Sequence, residues 1–98
     1  MKFYESNYKK EIYDFYQTSD DYFLDVVTDI IERIDDFNSE DDIYSAYNDG
    51  FIYTKDYWTV YRFFASSPDV MTYEEAETLF MESILSLASI IAEKEKEE

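Results

Sequence analysis

A single glycine, Gly50, and a single proline, Pro68, in 98 residues constrain the fold of this chain more than any other feature. A sandwich, barrel or meander needs a turn every 8–12 residues or so, and each turn draws on glycine and proline for its unusual backbone angles. A turn-rich β fold is therefore excluded. Helices need neither residue in their interiors, and the apolar residues here do fall at helical spacings. The expected class is all-α: a compact single-domain bundle of about five helices spanning 1–98, since 98 residues make one domain at most.

The spacing predicts a first helix from about Tyr4 to Tyr16, with Tyr4, Tyr8, Ile12 and Phe15 on one face. Ser19 is placed to cap a second helix running to about Phe37, whose stripe is Phe23, Val26, Val27, Ile30, Ile31 and Ile34. Asn38 or Ser39 caps a short third helix that ends at Gly50, in the left-handed position glycine favours. Thr54 opens a fourth helix bearing Tyr57, Trp58, Tyr61 and Phe64. The stretch Ser66-Ser67-Pro68-Asp69 reads as a loop, and Thr72-Tyr73-Glu74-Glu75 has the spacing of a capping box for a last helix to about Glu93. Residues 93–98, rich in acids against the negative end of the helix dipole, are expected to fray. Met81, Ile84, Leu85, Leu87, Ala88, Ile90 and Ile91 cover more than one stripe of that helix, which leaves one side for a homodimer.

Twenty-four acids against eight bases give a net charge of -16. Acidic chains that stay disordered are poor in aromatics, whereas 20% of this chain is Phe, Trp or Tyr, enough to build a core. Such a charge repels nucleic acid and anionic membranes and attracts basic surfaces. With no cysteine and no apolar run long enough to span a bilayer, the expected location is the cytoplasm.

Catalytic chemistry finds little to work with. Histidine and cysteine are both absent, which removes the commonest general base, the thiol nucleophile and the usual transition-metal ligands. One glycine cannot make a phosphate-cradling loop. The nearest approach to a calcium loop starts at Asp36 but puts Asp41 where glycine is needed and Tyr47 where a bidentate glutamate is needed. The chain reads as a binding protein, with no enzyme activity, cofactor or metal.

The feature that points to a partner is a row of like charges. Asp21, Asp25, Asp29, Glu32 and Asp36 recur at steps of three and four, opposite much of the apolar stripe of the second helix. Asp14, Asp20 and Asp35 lie near its ends, Glu40, Asp41 and Asp42 open the next helix, and Arg33 is the only base within the second helix. Each like-charged neighbouring pair costs a helix roughly 0.2–0.5 kcal/mol, a penalty that mixed signs would avoid. Steps of four residues space the carboxylates by about 6 Å, on the scale of nucleic-acid phosphates. At one phosphate charge per about 1.7 Å of duplex axis, the net charge matches roughly 27 Å, or about eight base pairs. Tyr44, Tyr47 and Tyr57 add aromatic contacts of the kind enriched in interfaces.

The segment Asp41-Asp42-Ile43-Tyr44-Ser45-Ala46-Tyr47-Asn48-Asp49, followed by Tyr53, Asp56, Tyr57 and Trp58, resembles the middle of the Ocr-like antirestriction proteins of phages. It differs in lacking that family's histidine and its proline before the aromatic helix. The resemblance covers residues 40–65 and extends, more loosely, to small acidic phage inhibitors such as anti-CRISPR proteins. It implies a helical dimer that mimics bent DNA and blocks a restriction or CRISPR nuclease, with the acids standing in for phosphates and no catalytic residue. The alternative is an acidic adaptor that binds a basic protein or peptide through an aromatic groove without imitating DNA.

Overall fold

The computed structural model describes residues 3–52, 57–66, 68 and 72–97. A 3-10 turn at Phe3–Glu5 leads into α1 (Lys9–Tyr16), α2 (Asp21–Arg33) and α3 (Glu40–Tyr47). A π turn at Asn48–Ile52 follows, then α4 (Tyr57–Phe64) and α5 (Tyr73–Glu97). The described residues contain helices and turns and no strand, so the all-α bundle of five helices stands. At 25 residues α5 is about 37 Å long and accounts for most of the molecule's 40 Å long axis.

α2 is the centre, packing against every other element. Phe23, Leu24, Val26, Val27, Ile30 and Ile31 are all buried along one stripe. Thr28 is fully buried too, and it donates its hydroxyl to the Leu24 carbonyl at 2.7 Å, so no polar atom is stranded. The core around this stripe is aromatic. Phe23 stacks on Phe63 at 3.9 Å and meets Tyr16, Phe64 and Phe80 at 5.1–6.0 Å. Phe80 in turn packs against Tyr47 and Phe51, which joins α3 and the π turn to the same cluster. Rings add their bulk to the aliphatic side chains of α2 and α5.

The elements depart from the sequence expectations in five places, each with a specific contact behind it. The first helix is interrupted: the Phe3 N–H goes to the Asp25 carboxylate (2.8 Å), and the Ser6 hydroxyl accepts from the Tyr8 N–H (3.0 Å). Tyr4, expected on the buried face, is 66% exposed. α2 is capped by Asp20 rather than Ser19, its carboxylate accepting from the Tyr22 and Phe23 N–H groups. α2 also ends at Arg33, short of Phe37. The Asp42 carboxylate accepts the N–H groups of Asp35 (2.6 Å) and Asp36 (2.7 Å), which no longer need helix carbonyls. Ser39 does cap α3.

Gly50 is the fourth. It lies inside the π turn without a positive φ, so it is not a left-handed terminator. A β-carbon there would come within 2.6 Å of Ile30 Cγ1 and 3.1 Å of Ile30 Cα, so glycine is required by close approach to α2. The left-handed position falls instead on Gln17 (φ 51°, ψ 48°), which closes α1 by donating its N–H to Tyr13 O.

The capping box forms at Thr72 and Glu75, and α5 continues as helix to Glu97 where fraying from Glu93 was expected. Two contacts with the N-terminal region hold that end: Lys94 pairs with Glu11 at 2.8 Å, and the Tyr8 hydroxyl donates to Glu95 at 3.2 Å. Of the residues assigned to a surplus stripe, Ile84, Leu87, Ala88 and Ile91 are buried, Met81 and Leu85 lean half-buried on the core, and Ile90 is exposed. The expected cap at Thr54 lies outside the described residues.

Candidate functional site

The acidic row starts on α2 as expected, and most of it is engaged by its own chain. Asp21 is exposed in the first turn, where it favours the positive end of the helix dipole. Asp25 receives the Phe3 N–H, Asp29 pairs with Arg33 at 3.2 Å, and Glu32 accepts from the Ser6 hydroxyl at 2.6 Å. All three are half-buried. Asp36 lies beyond the helix, so the row of five ends at Glu32. Asp14 is exposed on α1 and paired with Lys10 at 2.6 Å, away from the row. Asp20 is both the α2 cap and the partner of Arg62 at 2.9 Å.

Among the described residues, the larger concentration of acids without a basic partner is at the corner where α2 gives way to α3. Glu32, Asp35, Asp36, Glu40, Asp41 and Asp42 are six acids in eleven residues, and the only base among them, Arg33, is turned to Asp29. The helix break at Ile34 builds this corner. With Ile34 and Phe37 buried, the intervening Asp35 and Asp36 are left exposed. Ser39 restarts the helix with Glu40, Asp41 and Asp42 in its first turn, where helix-dipole attraction offsets part of their mutual repulsion.

Among the described residues, the donors to the corner carboxylates are uncharged. Asp42 is held by two backbone N–H groups, Asp36 accepts from the Asn38 N–H at 2.9 Å, and Glu32 by the Ser6 hydroxyl. A neutral donor fixes a carboxylate in place and leaves its net charge uncancelled, unlike the lysine or arginine partner of an ion pair. Geometry and charge are thus both preserved.

The tyrosines divide. Tyr44 is 43% exposed. Tyr47, expected as a contact, is 4% exposed and packs on Phe51 and Phe80, so it belongs to the core. It sits one helical turn from Tyr44, and the aromatic cluster claims it. The Tyr57 side chain, with Tyr53 and Asp56, lies outside what the structure describes. Sequence reasoning assigned no contact role to Trp58 (61% exposed) or Tyr22 (74% exposed). It read Met81 and Leu85 as part of a dimer stripe on α5 and passed over the acids and threonine that share their face, Glu74, Glu77, Thr78 and Glu82.

No three His, Cys, Asp or Glu side chains among the described residues are arranged to hold a metal ion. No described helix is long and apolar enough to cross a membrane. No known family model, characterised protein or solved structure matches this chain.

Proposed function

We propose that the protein is a DNA-mimic inhibitor of the antirestriction or anti-CRISPR type. The acids of the α2–α3 corner enter the basic DNA-binding groove of a nuclease or another DNA-binding protein, in the cytoplasm of a bacterial host. It acts by occupancy and not by catalysis. The observation that carries this reading is the set of corner carboxylates held by neutral donors. Fixed, uncancelled anions grouped at one corner offer a basic groove what a phosphate backbone offers, and binding would release counterions in the same way.

The test is displacement of a fluorescent DNA duplex from purified restriction and RNA-guided nucleases. The corner variant carries Asp35→Asn, Asp36→Asn and Asp42→Asn, each amide keeping an acceptor oxygen; the control carries Glu5→Gln, Asp49→Asn and Glu97→Gln, all exposed positions. Both lose three charges. We expect the corner variant to displace duplex at least about tenfold less well and with a shallower dependence on salt, while the control stays near the parent. Equal loss in both would make the protein a bulk polyanion and end the mimicry reading.

A further inference from the structure

A trough runs between α3 and α5 along the stripe of α5 described above. It consists of two adjoining cavities of about 550 and 220 Å³ that share Leu85. The floor of the larger cavity is apolar: Met81 and Leu85 lean on the core and Tyr47 closes the base, whereas the smaller cavity, with Ile43 and Ala92 beneath it, has a more polar lining. Tyr44 stands exposed as one wall. From Glu74 to Glu93 the trough follows twenty residues of α5, a rise of about 28 Å.

Its rim is acidic. Glu74, Glu77 and Glu82 edge the larger cavity, Glu40 and Glu93 the smaller. None of the carboxylates of Glu40, Glu74, Glu77 and Glu82 is paired with a basic side chain of the described residues, and Glu93 has only a 3.7 Å contact with exposed Lys96. An apolar floor with an anionic rim selects its occupant by charge. Nucleic acid and anionic membranes are repelled, and so is a second copy carrying the same -16. A segment with apolar residues along one face and Lys or Arg on its flanks satisfies both parts at once. Methionine at the floor, unbranched and polarisable, adapts to different apolar side chains.

We propose that this trough is a second binding surface, one that takes a basic amphipathic helix from a partner protein. Apolar side chains of that helix lie over Met81 and Leu85 beside Tyr44, and its Lys and Arg residues reach Glu74, Glu77 and Glu82. The proposal does not rest on DNA mimicry, because a phosphate mimic needs no apolar floor.

The probe is a fluorescein-labelled synthetic Leu/Lys amphipathic helix, compared with a scrambled isomer of the same composition and a Leu/Glu analogue. Anisotropy titration should show saturable one-to-one binding of the Leu/Lys helix, with the Met81 and Leu85 methyl NMR signals shifting. The scrambled peptide should bind at least about tenfold more weakly, and the Leu/Glu analogue should not bind. Thr78→Arg, at an exposed position, sets a positive charge in the trough without touching the core, and it should weaken binding about tenfold with an unchanged circular dichroism spectrum. Met81→Glu serves as the second variant. Equal binding of the scrambled peptide, or indifference to Thr78→Arg, overturns the proposal in favour of charge alone. Methyl shifts that depend on protein concentration without peptide overturn it in favour of a second copy. Asp35→Asn with Asp36→Asn should leave peptide binding intact while duplex displacement falls, which separates failure of this proposal from failure of the mimicry reading.

Discussion

The corner at 32–42 and the trough along α5 present the same residue type in opposite settings. At the corner the carboxylates of Asp36, Asp42 and Glu32 are fixed by backbone N–H groups and a serine hydroxyl. Along the trough, the carboxylates of Glu74, Glu77 and Glu82 take no hydrogen bond from the described residues, although the Glu74 and Glu77 carbonyls accept from Thr78 and Tyr47, and they edge an apolar floor. Fixed anions favour partners whose cations are equally fixed, because little ordering entropy is lost on contact. Mobile anions around an apolar floor tolerate variation in the partner's cations, and the buried apolar area supplies the affinity. Net charge alone therefore says little about what an acidic protein binds; the way each acid is held says more.

The largest effect is expected at the joint between the two regions. Gly50 lets the π turn after α3 lie directly on Ile30 of α2, which sets the seat of α3 relative to both corner and trough. Gly50→Ala forces a methyl against Ile30 Cγ1 and its backbone, an overpacking that costs about 1–3 kcal/mol. Urea denaturation should show this loss, with duplex displacement and peptide binding falling together as α3 shifts. If only one of them falls, the two surfaces are positioned independently and the joint matters less than its packing suggests.

A somewhat smaller effect separates structural from spare acids. Asp42→Ala strands the N–H groups of Asp35 and Asp36, and by analogy with loss of a helix cap should cost about 0.5–2 kcal/mol. Asp42→Asn keeps an acceptor oxygen and should cost less. Glu82→Ala in the trough should fall within about 0.5 kcal/mol of the parent, as surface substitutions without partners do. Equal losses at Asp42 and Glu82 would erase the distinction on which the comparison stands.

The ends of the bundle give a pH-dependent contrast. Burial pushes the Tyr16 phenol well above its ordinary value, and its oxygen lies 2.7 Å from the Ser83 hydroxyl. Ser83 donates to the Phe80 carbonyl, so Tyr16 is the donor between them. Tyr8 is raised by burial and by Glu95. A phenol raised in the folded state contributes stability that is complete below its unfolded value, near 10, and lost as pH rises beyond it. Glu11 is lowered by its hydrogen bond to Lys94, so its contribution is present above the ordinary carboxylate range and lost as pH falls. Thermal melts should weaken above about pH 10. Tyr16→Phe should cost about 1 kcal/mol at neutral pH and flatten that alkaline limb, which would otherwise be assigned to general repulsion.

Much of this fold was legible in the chain. The scarcity of Gly and Pro, the 3.6-residue stripe of α2, the cap at Ser39 and the Thr72–Glu75 box all act locally, within a turn of the residues concerned. What was not legible depends on contacts distant in sequence. The end of α2 depends on Asp42, six or seven residues away in a conformation no period reveals. Gly50 looked like a terminator because its role is set by Ile30 on another helix. The ordered end of α5 depends on Glu11 and Tyr8, more than eighty residues away. At the candidate site, the acids of the corner were visible as a composition, while the donors that fix them were not. The trough was present as a stripe on α5 but needed α3 to become a cavity.

The smallest expected effect bears on what the α2 acids are for. Glu32 is half-buried under the N-terminal turn, and one account of it is purely structural: it anchors Ser6. The other account counts it among the corner anions. Glu32→Gln separates them, because the amide keeps an oxygen to accept from the Ser6 hydroxyl while removing the charge. Loss of the charge relieves repulsion with Asp29 three residues earlier, worth about 0.2–0.5 kcal/mol, and weakens a charge-assisted hydrogen bond by a similar amount. Net stability should therefore move by no more than about 0.5 kcal/mol, and the rise of melting temperature with added salt should become slightly shallower. Ser6→Ala should behave differently, leaving the charge and its salt response in place while loosening the turn. If Glu32→Gln instead costs as much as Asp42→Ala and leaves duplex displacement unchanged, Glu32 belongs to the scaffold. The corner would then begin at Asp35, and the α2 face would carry acids chiefly to hold the chain's own N-terminal segment.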